Sequence, residues 1–112
     1  MQLFESQQHQ HYPTATTFGD GSKFRVNQNS LTGDEEDIPK ELHYHKKSTV
    51  LILVTQGELH VEVEGSLVRI TPGKLLQIEP KEKYRTLKSM GPTNVIVVGT
   101  YNEPGDRVVV SD

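Results

Sequence analysis

Residues 43–57 read HYHKKSTVLILVTQG. Two histidines one residue apart lead into a solid apolar segment that stops at a glycine. Side chains alternate faces along an extended chain, so His43 and His45 point the same way and are spaced to hold one ion or one ligand between them. The run VLILVT (50–55) has the length of a single strand, and its unbroken apolarity predicts a strand covered on both faces.

Downstream of this stretch the same texture repeats. ELHVEVEG (58–65) alternates, with Leu59, Val61 and Val63 on one face and Glu58, His60, Glu62 and Glu64 on the other. LVRI (67–70) ends at the turn TPGK, and LLQI (75–78) ends at EPKEK. YRTLK (84–88), NVIVVGTY (94–101) and RVVV (107–110) follow. Short strands punctuated at regular spacing by Gly and Pro predict an all-β sandwich or barrel, and no segment carries helical periodicity. Upstream the texture changes. SQQHQHYPTATTFGDGS is rich in Gln, His, Thr, Gly and Pro without a sustained period, so residues 1–23 read as a polar N-terminal arm. FRV (24–26) starts the barrel proper (24–110) as a short strand, and NSLTGDEEDIPKE reads as an acidic, turn-rich connection.

At 112 residues the chain makes one domain, residues 1–112, large enough to close a core without staples. The absence of cysteine excludes disulfides, thiolate metal sites and a cysteine nucleophile. A net charge of -3 gives no general attraction to nucleic acid or anionic membranes, and no apolar run approaches the roughly 20 residues of a membrane span. The expectation is a cytoplasmic protein with neither nucleic-acid nor membrane partners. Two long apolar strands in a chain of only 33 % hydrophobic content predict a homodimer formed through VLILVT or NVIVVGTY.

The stretch from Glu41 to Arg85 resembles the cupin superfamily, small β-barrels of the jelly-roll type. That family's first motif runs H-x-H, three or four residues, Glu, six residues, Gly. Here His43 and His45 are followed by KKST, then Val50, then LILVTQ, then Gly57. The spacing is kept and the Glu is replaced. The second motif matches ITPGKLLQIEPKEKYR in length, with Pro72, Gly73, Ile78 and Pro80 in place, Lys74 where Asp is usual and Tyr84 where a His ligand is usual. The resemblance implies a cupin-type jelly-roll β-barrel with a degenerate metal-binding motif. Similar proteins hold a divalent metal with two His, a Glu and a third His, a set that suits Zn, Ni, Mn or Fe. Val50 cannot ligate, and a phenol of ordinary pKa near 10 is a poor ligand. The expected cofactor is therefore a divalent transition metal weakly held by His43 and His45, or none.

Each candidate residue has a plain reading beside the functional one. His43 and His45 form a pocket-facing pair, or are two polar side chains hydrogen-bonded at a barrel mouth. Tyr84, across the same cavity by alignment, is either a plug filling the space of a lost ligand or a functional hydroxyl. Lys46 and Lys47 are an exposed strand start, or attract an anionic ligand together with Arg85, whose planar guanidinium suits a bidentate contact. His60 reads as a solvated surface histidine. His9 and His11 form a second H-x-H in the polar arm, where a ligand role requires the arm to fold across the barrel, and GDEED (33–37) reads as a solvated turn.

Two classes of function follow. One is a small cytoplasmic cupin binding a small polar or anionic ligand through His43, His45, Lys46, Lys47, Tyr84 and Arg85. The other is an enzyme, in one of two forms. A metal-dependent dioxygenase or isomerase would use His43 and His45. A metal-free sugar-nucleotide isomerase or epimerase would use His45 as base and Tyr84 as proton partner. The residues leave both open.

Overall fold

The computed structural model describes residues 1–8, 15–18, 23–33 and 40–110. The second H-x-H, His9 and His11, and most of GDEED lie outside them. The strands are β1 (Gln7–Gln8), β2 (Ala15–Phe18), β3 (Arg25–Leu31), β4 (His43–His45), β5 (Val50–Gln56), β6 (Leu59–Val63), β7 (Ser66–Ile70), β8 (Leu75–Ile78), β9 (Tyr84–Ser89), β10 (Thr93–Gly99) and β11 (Arg107–Val109). They form two sheets, ordered β1-β2-β3-β10-β5-β8 and β11-β4-β9-β6-β7, with every pairing antiparallel. Among the described residues there is no helix, and so none long and apolar enough to cross a membrane.

The alternation read from the sequence becomes the interior. Val50, Ile52 and Val54 of β5 are buried with Val95 of β10 and Ile78 of β8, facing Leu59, Val61 and Ile70 of the other sheet. Two faces packed in this way explain why inward residues recur at every second position. β5 is not covered on both faces as the unbroken run suggested. Leu51 and Leu53 are half-buried on its outer face, beside Ile96 and Val98 of β10, and Leu75 of β8 is exposed there. The apolar outer row is a surface of neighbouring side chains that shield one another, not a second core.

Two turns set the register. Glu64 and Gly65 both have positive φ and join β6 to β7 in a two-residue hairpin, the backbone twist that tight hairpins favour. Gly57, the last residue of the first motif, has φ +87°, and a Cβ there would lie 2.4 Å from Thr93 Oγ1. Only glycine allows the end of β5 to pass this close to β10.

The N-terminal third departs from its sequence reading. Strands β1 and β2 lie within the segment read as an arm, and β2 pairs with β3 along four residues, so the arm extends the first sheet at its edge. Phe4 packs edge-on against Phe24, ring centroids 5.3 Å apart. β3 runs five residues further than expected of FRV alone by ending at Leu31 rather than Val26, taking in Asn29, Ser30 and Leu31 from the segment read as a connection. Its inward row is Arg25, Asn27, Asn29 and Leu31, opposite Gly99, Val97, Val95 and Thr93. Three polar residues facing inward break the apolar alternation that marks a strand in sequence.

Candidate active site

β4 begins beside β9, with His43 directly opposite Tyr84, and β11 covers its other edge, with Arg107 opposite His45. The chain between β4 and β9 is pinned by Lys81, whose φ is +72° and whose N–H donates to the His45 carbonyl at 2.7 Å. These backbone constraints bring three of the sequence candidates together. The His43 and Tyr84 rings lie 4.3 Å apart between centroids, the two histidines 5.6 Å, and His45 and Tyr84 6.0 Å.

The hydrogen bonds give His45 a defined role. Its Nδ1 lies 3.2 Å from Asp106 Oδ2 and its Nε2 lies 3.1 Å from the Tyr84 hydroxyl. A carboxylate only accepts, so Nδ1 carries the proton and Nε2 accepts from the phenol. The row is Tyr84 O–H to His45 Nε2, then His45 Nδ1–H to Asp106. All three members are buried, at 6 %, 7 % and 7 % exposure. Asp106 is itself held in place: its Oδ1 accepts the Lys47 N–H at 2.7 Å, its carbonyl accepts the Lys46 N–H at 2.9 Å, and its N–H donates to the Glu103 carbonyl.

Burial lowers the His45 pKa from its ordinary value, against the opposing pull of the Asp106 hydrogen bond and charge, while Arg25 and Arg107 add to the lowering. His43 is pushed down to about 4, chiefly by burial, although its Nδ1–H donates to the Glu41 carbonyl at 2.8 Å. Both imidazoles are neutral at neutral pH. A cavity of about 340 Å³ opens beside His45 and is lined by Arg25, Arg107 and the turn from Tyr101 to Asp106.

The structure separates the other candidates from this row. Arg85 does not line the cavity: it follows Tyr84 on β9 and therefore faces outward, where its Nε and Nη2 donate to the Glu62 carboxylate at 2.8 and 3.5 Å. The parity rule that aligned His43 with His45 carries this signal too, because neighbours on a strand cannot share a face. Lys46 and Lys47 line a separate groove with Tyr44, Lys81, Lys83 and Val108–Val110 on the outer side of β4 and β11. His60 is not a solvated surface residue. It is only 7 % exposed, and its Nε2 lies 2.5 Å from Glu58 Oε2. Three residues of this cluster carry no signal in the sequence motifs: Asp106, which lies 61 positions from His45, and Arg25 and Arg107, which line the cavity from β3 and β11.

The donor set does not fit a resident divalent ion. His45 has both ring nitrogens engaged within the protein, the Tyr84 hydroxyl is hydrogen-bonded to His45, and Val50 at the family's carboxylate position is 3 % exposed in the core. Among the described residues no three His, Asp or Glu side chains converge as metal ligands do.

Neither a protein-family model nor a curated protein sequence matches the chain. Solved structures do. A nucleoside dehydratase of Streptomyces, PAC13, superposes with a TM-score of 0.73 at 13 % identity, over 98 % of this chain and 91 % of that one. That enzyme has been solved with uridine in forms carrying a single tyrosine-to-phenylalanine or histidine-to-glutamine replacement. A cupin protein of Bacteroides fragilis superposes at 0.68 with 15 % identity, covering 94 % of this chain and 89 % of that one. A sugar phosphate isomerase of the cupin superfamily from Silicibacter pomeroyi superposes at 0.62 with 18 % identity, covering 97 % and 88 %. The chain has the cupin fold, an all-β jelly-roll barrel, as the two motifs implied.

Proposed function

We propose that this cupin barrel binds a small polar ligand and moves a proton on it by general acid–base chemistry without a resident metal, with His45 as base and Tyr84 as acid. The observation that carries this reading is the buried row Tyr84–His45–Asp106, in which His45 and Asp106 line the cavity and Tyr84 packs behind His45. A neutral imidazole is a base only at the nitrogen that lacks a proton, and Asp106 fixes that nitrogen as Nε2 by holding the proton on Nδ1.

The arrangement supports a balanced elimination. Nε2 takes a proton from a ligand carbon beside a carbonyl, and the imidazolium formed is stabilised by Asp106. The electron pair of the broken C–H bond forms the double bond and expels a hydroxyl, which takes the Tyr84 proton and leaves as water. His45 Nε2–H then returns its proton to the phenolate across the same 3.1 Å contact. Isomerisation or epimerisation uses the same two groups without loss of water. Each positioned acid or base contributes roughly 10²–10⁴-fold in such reactions. The fold likeness to a nucleoside dehydratase and to a sugar phosphate isomerase supports a ligand of sugar or nucleoside type.

Deuterium incorporation tests this. Keto- and aldo-sugars and nucleoside aldehydes incubated with the protein in D₂O should exchange the hydrogen beside the carbonyl, or eliminate water. His45→Asn and Tyr84→Phe should each lower the rate by roughly 100-fold or more, and chelators should leave it unchanged. Exchange that survives His45→Asn, or that chelation abolishes, removes the proposal.

The expected homodimer stands beside this as a second proposal. The outer face of β5, β10 and β8 presents Leu51, Leu53, Ile96, Val98 and Leu75 with no charged side chain among them, which suits an isologous contact. Light scattering after size exclusion should give twice 12.6 kDa. A mass near 12.6 kDa at micromolar concentration would rule the pairing out.

A further inference from the structure

The cavity beside His45 contains two guanidinium groups, and the carboxylates around it are already engaged. Asp106 accepts from His45 and from the Lys47 N–H. Glu103 accepts the Tyr101 hydroxyl at 2.8 Å. Arg107 has Glu41 only at 3.7 Å, a loose and largely exposed pair. Arg25 has no carboxylate within ion-pair distance among the described residues. Arg25 nevertheless faces the barrel interior, half-buried, at the head of the inward row of β3. Partial burial of an unpaired cation opposes folding, and an anion that enters the cavity relieves that cost.

The rest of the lining is the polar turn from Tyr101 to Asp106 and the His45 imidazole. A charged fork beside such a wall suits a ligand with an acid group at one end and hydroxyl or carbonyl oxygens along its body. A volume near 340 Å³ fits a small molecule of this kind.

We infer that the ligand is a small hydroxylated acid, a sugar carboxylate or a sugar phosphate, whose anionic group is received by the Arg25 guanidinium with Arg107 as the second cation. This rests on the acid–base reading of the same cavity, because it places the acid group at one wall and the reacting carbon toward His45. It also moves the expected anion site from Lys46, Lys47 and Arg85, which lie outside the cavity, to two arginines inside it.

Titrations followed by ¹H–¹⁵N NMR, including the arginine Nε–H signals, test it with four probes: glucuronate, ribose 5-phosphate, and their uncharged counterparts glucose and ribose. At low salt at least one acid probe should bind about tenfold or more tightly than its neutral counterpart, with the Arg25 Nε–H shifting. Whichever acid keeps the larger advantage identifies the carboxylate or the phosphate as the group recognised. Arg25→Gln should abolish the advantage, and Arg25→Lys, which keeps the charge without the fork, should retain part of it. The combined replacement of Lys46, Lys81 and Lys83 by Gln should leave it intact. Equal affinity for acid and neutral probes, no binding of either acid at millimolar concentration, or an advantage that survives in folded Arg25→Gln overturns the inference. His45→Asn separates the two readings. An acid preference that persists there, in a protein whose parent shows no deuterium exchange, leaves the anion site standing and removes the chemistry.

Discussion

The barrel interior has a dry half and a wet half, built on the same strands. Below β5 the walls meet as Val50, Ile52, Val54, Leu59, Val61, Ile70, Ile78 and Val95, all nearly inaccessible. Toward the 101–107 turn the lining is His45, Asp106, Arg25 and Arg107, with His43 and Tyr84 packed behind His45. The dry half follows directly from strand periodicity and holds the fold together through burial. In the wet half every buried polar group needs a partner, and those partners come from four different elements. The difference teaches that two positions of one sequence motif can part: Val50 belongs to the dry half at 3 % exposure, while His45 sits in the wet one with both ring nitrogens hydrogen-bonded.

His45 and His60 sharpen the same contrast. Both are 7 % exposed and both touch a carboxylate, Asp106 at 3.2 Å and Glu58 at 2.5 Å. His45 lines the cavity and has its second nitrogen hydrogen-bonded to Tyr84, whereas the Glu58 side chain is 34 % exposed on the outer face. Burial with an acid partner does not make a site. His45 differs from His60 in adding a hydrogen bond to Tyr84 and a place in the cavity lining.

The largest effect should come from carrying wet chemistry into the dry half. Val50→Glu places an unpaired carboxyl where the parent side chain is 3 % exposed, and should cost about 3–5 kcal/mol. Adding Tyr84→His completes the four-ligand set that the family resemblance implies, so the calorimetric midpoint of the double variant should rise with nickel or zinc. A parent protein that responds to metal as strongly as the double variant would break the contrast between the halves.

Asp106→Ala comes next. It leaves the His45 Nδ1–H and the Lys47 N–H without their acceptor and should cost roughly 1–3 kcal/mol in urea unfolding. It should also release the His45 tautomer, visible as a change in the ¹⁵N shifts of the imidazole. A variant with parental stability and an unchanged tautomer would take Asp106 out of the row.

Acid should destabilise the whole barrel through the wet half. His43 titrates near its ordinary value of 6.5 in the unfolded chain and about 4 in the folded protein, so the unfolded state binds more protons between those values. Stability is full above pH 6.5 and falls as pH drops toward 4. After discounting for the partial exposure of the ring, the loss is of order 2 kcal/mol. Denaturant midpoints measured across that window, in the parent and in His43→Gln, check it. The variant should lose most of the slope that His43 contributes, and identical slopes in both proteins would assign the titration elsewhere.

The smallest effect should fall at the second histidine. Glu58→Gln keeps a hydrogen-bond acceptor and removes an exposed charge, so the thermal midpoint should move by about 2 °C or less. A loss as large as that of Asp106→Ala would make His60 as demanding a buried group as His45.

Much of this protein was decided locally. The two-residue period of β5, β6, β8 and β10 specifies which side chains face inward, because a one-residue slip would invert every one of them. The same period puts His43 and His45 on one face. Gly57 is required by its positive φ and by the approach of Thr93, which the motif spacing had marked without giving the reason. What tertiary structure alone decided are the partners. Asp106 reaches His45 only because β11 pairs with β4 across 61 residues of chain, and no local pattern encodes that pairing. Arg25 enters the site because β3 carries a polar row inward, whereas the alternation of FRV, with Phe24 and Val26 apolar, would turn Arg25 to the outer face. His60 is buried because its neighbours cover it, although its strand places it on the polar face. A strand's faces are set by the geometry of one chain, but the charge, hydrogen-bond partner and enclosure of each side chain are set by what the sheet brings against it.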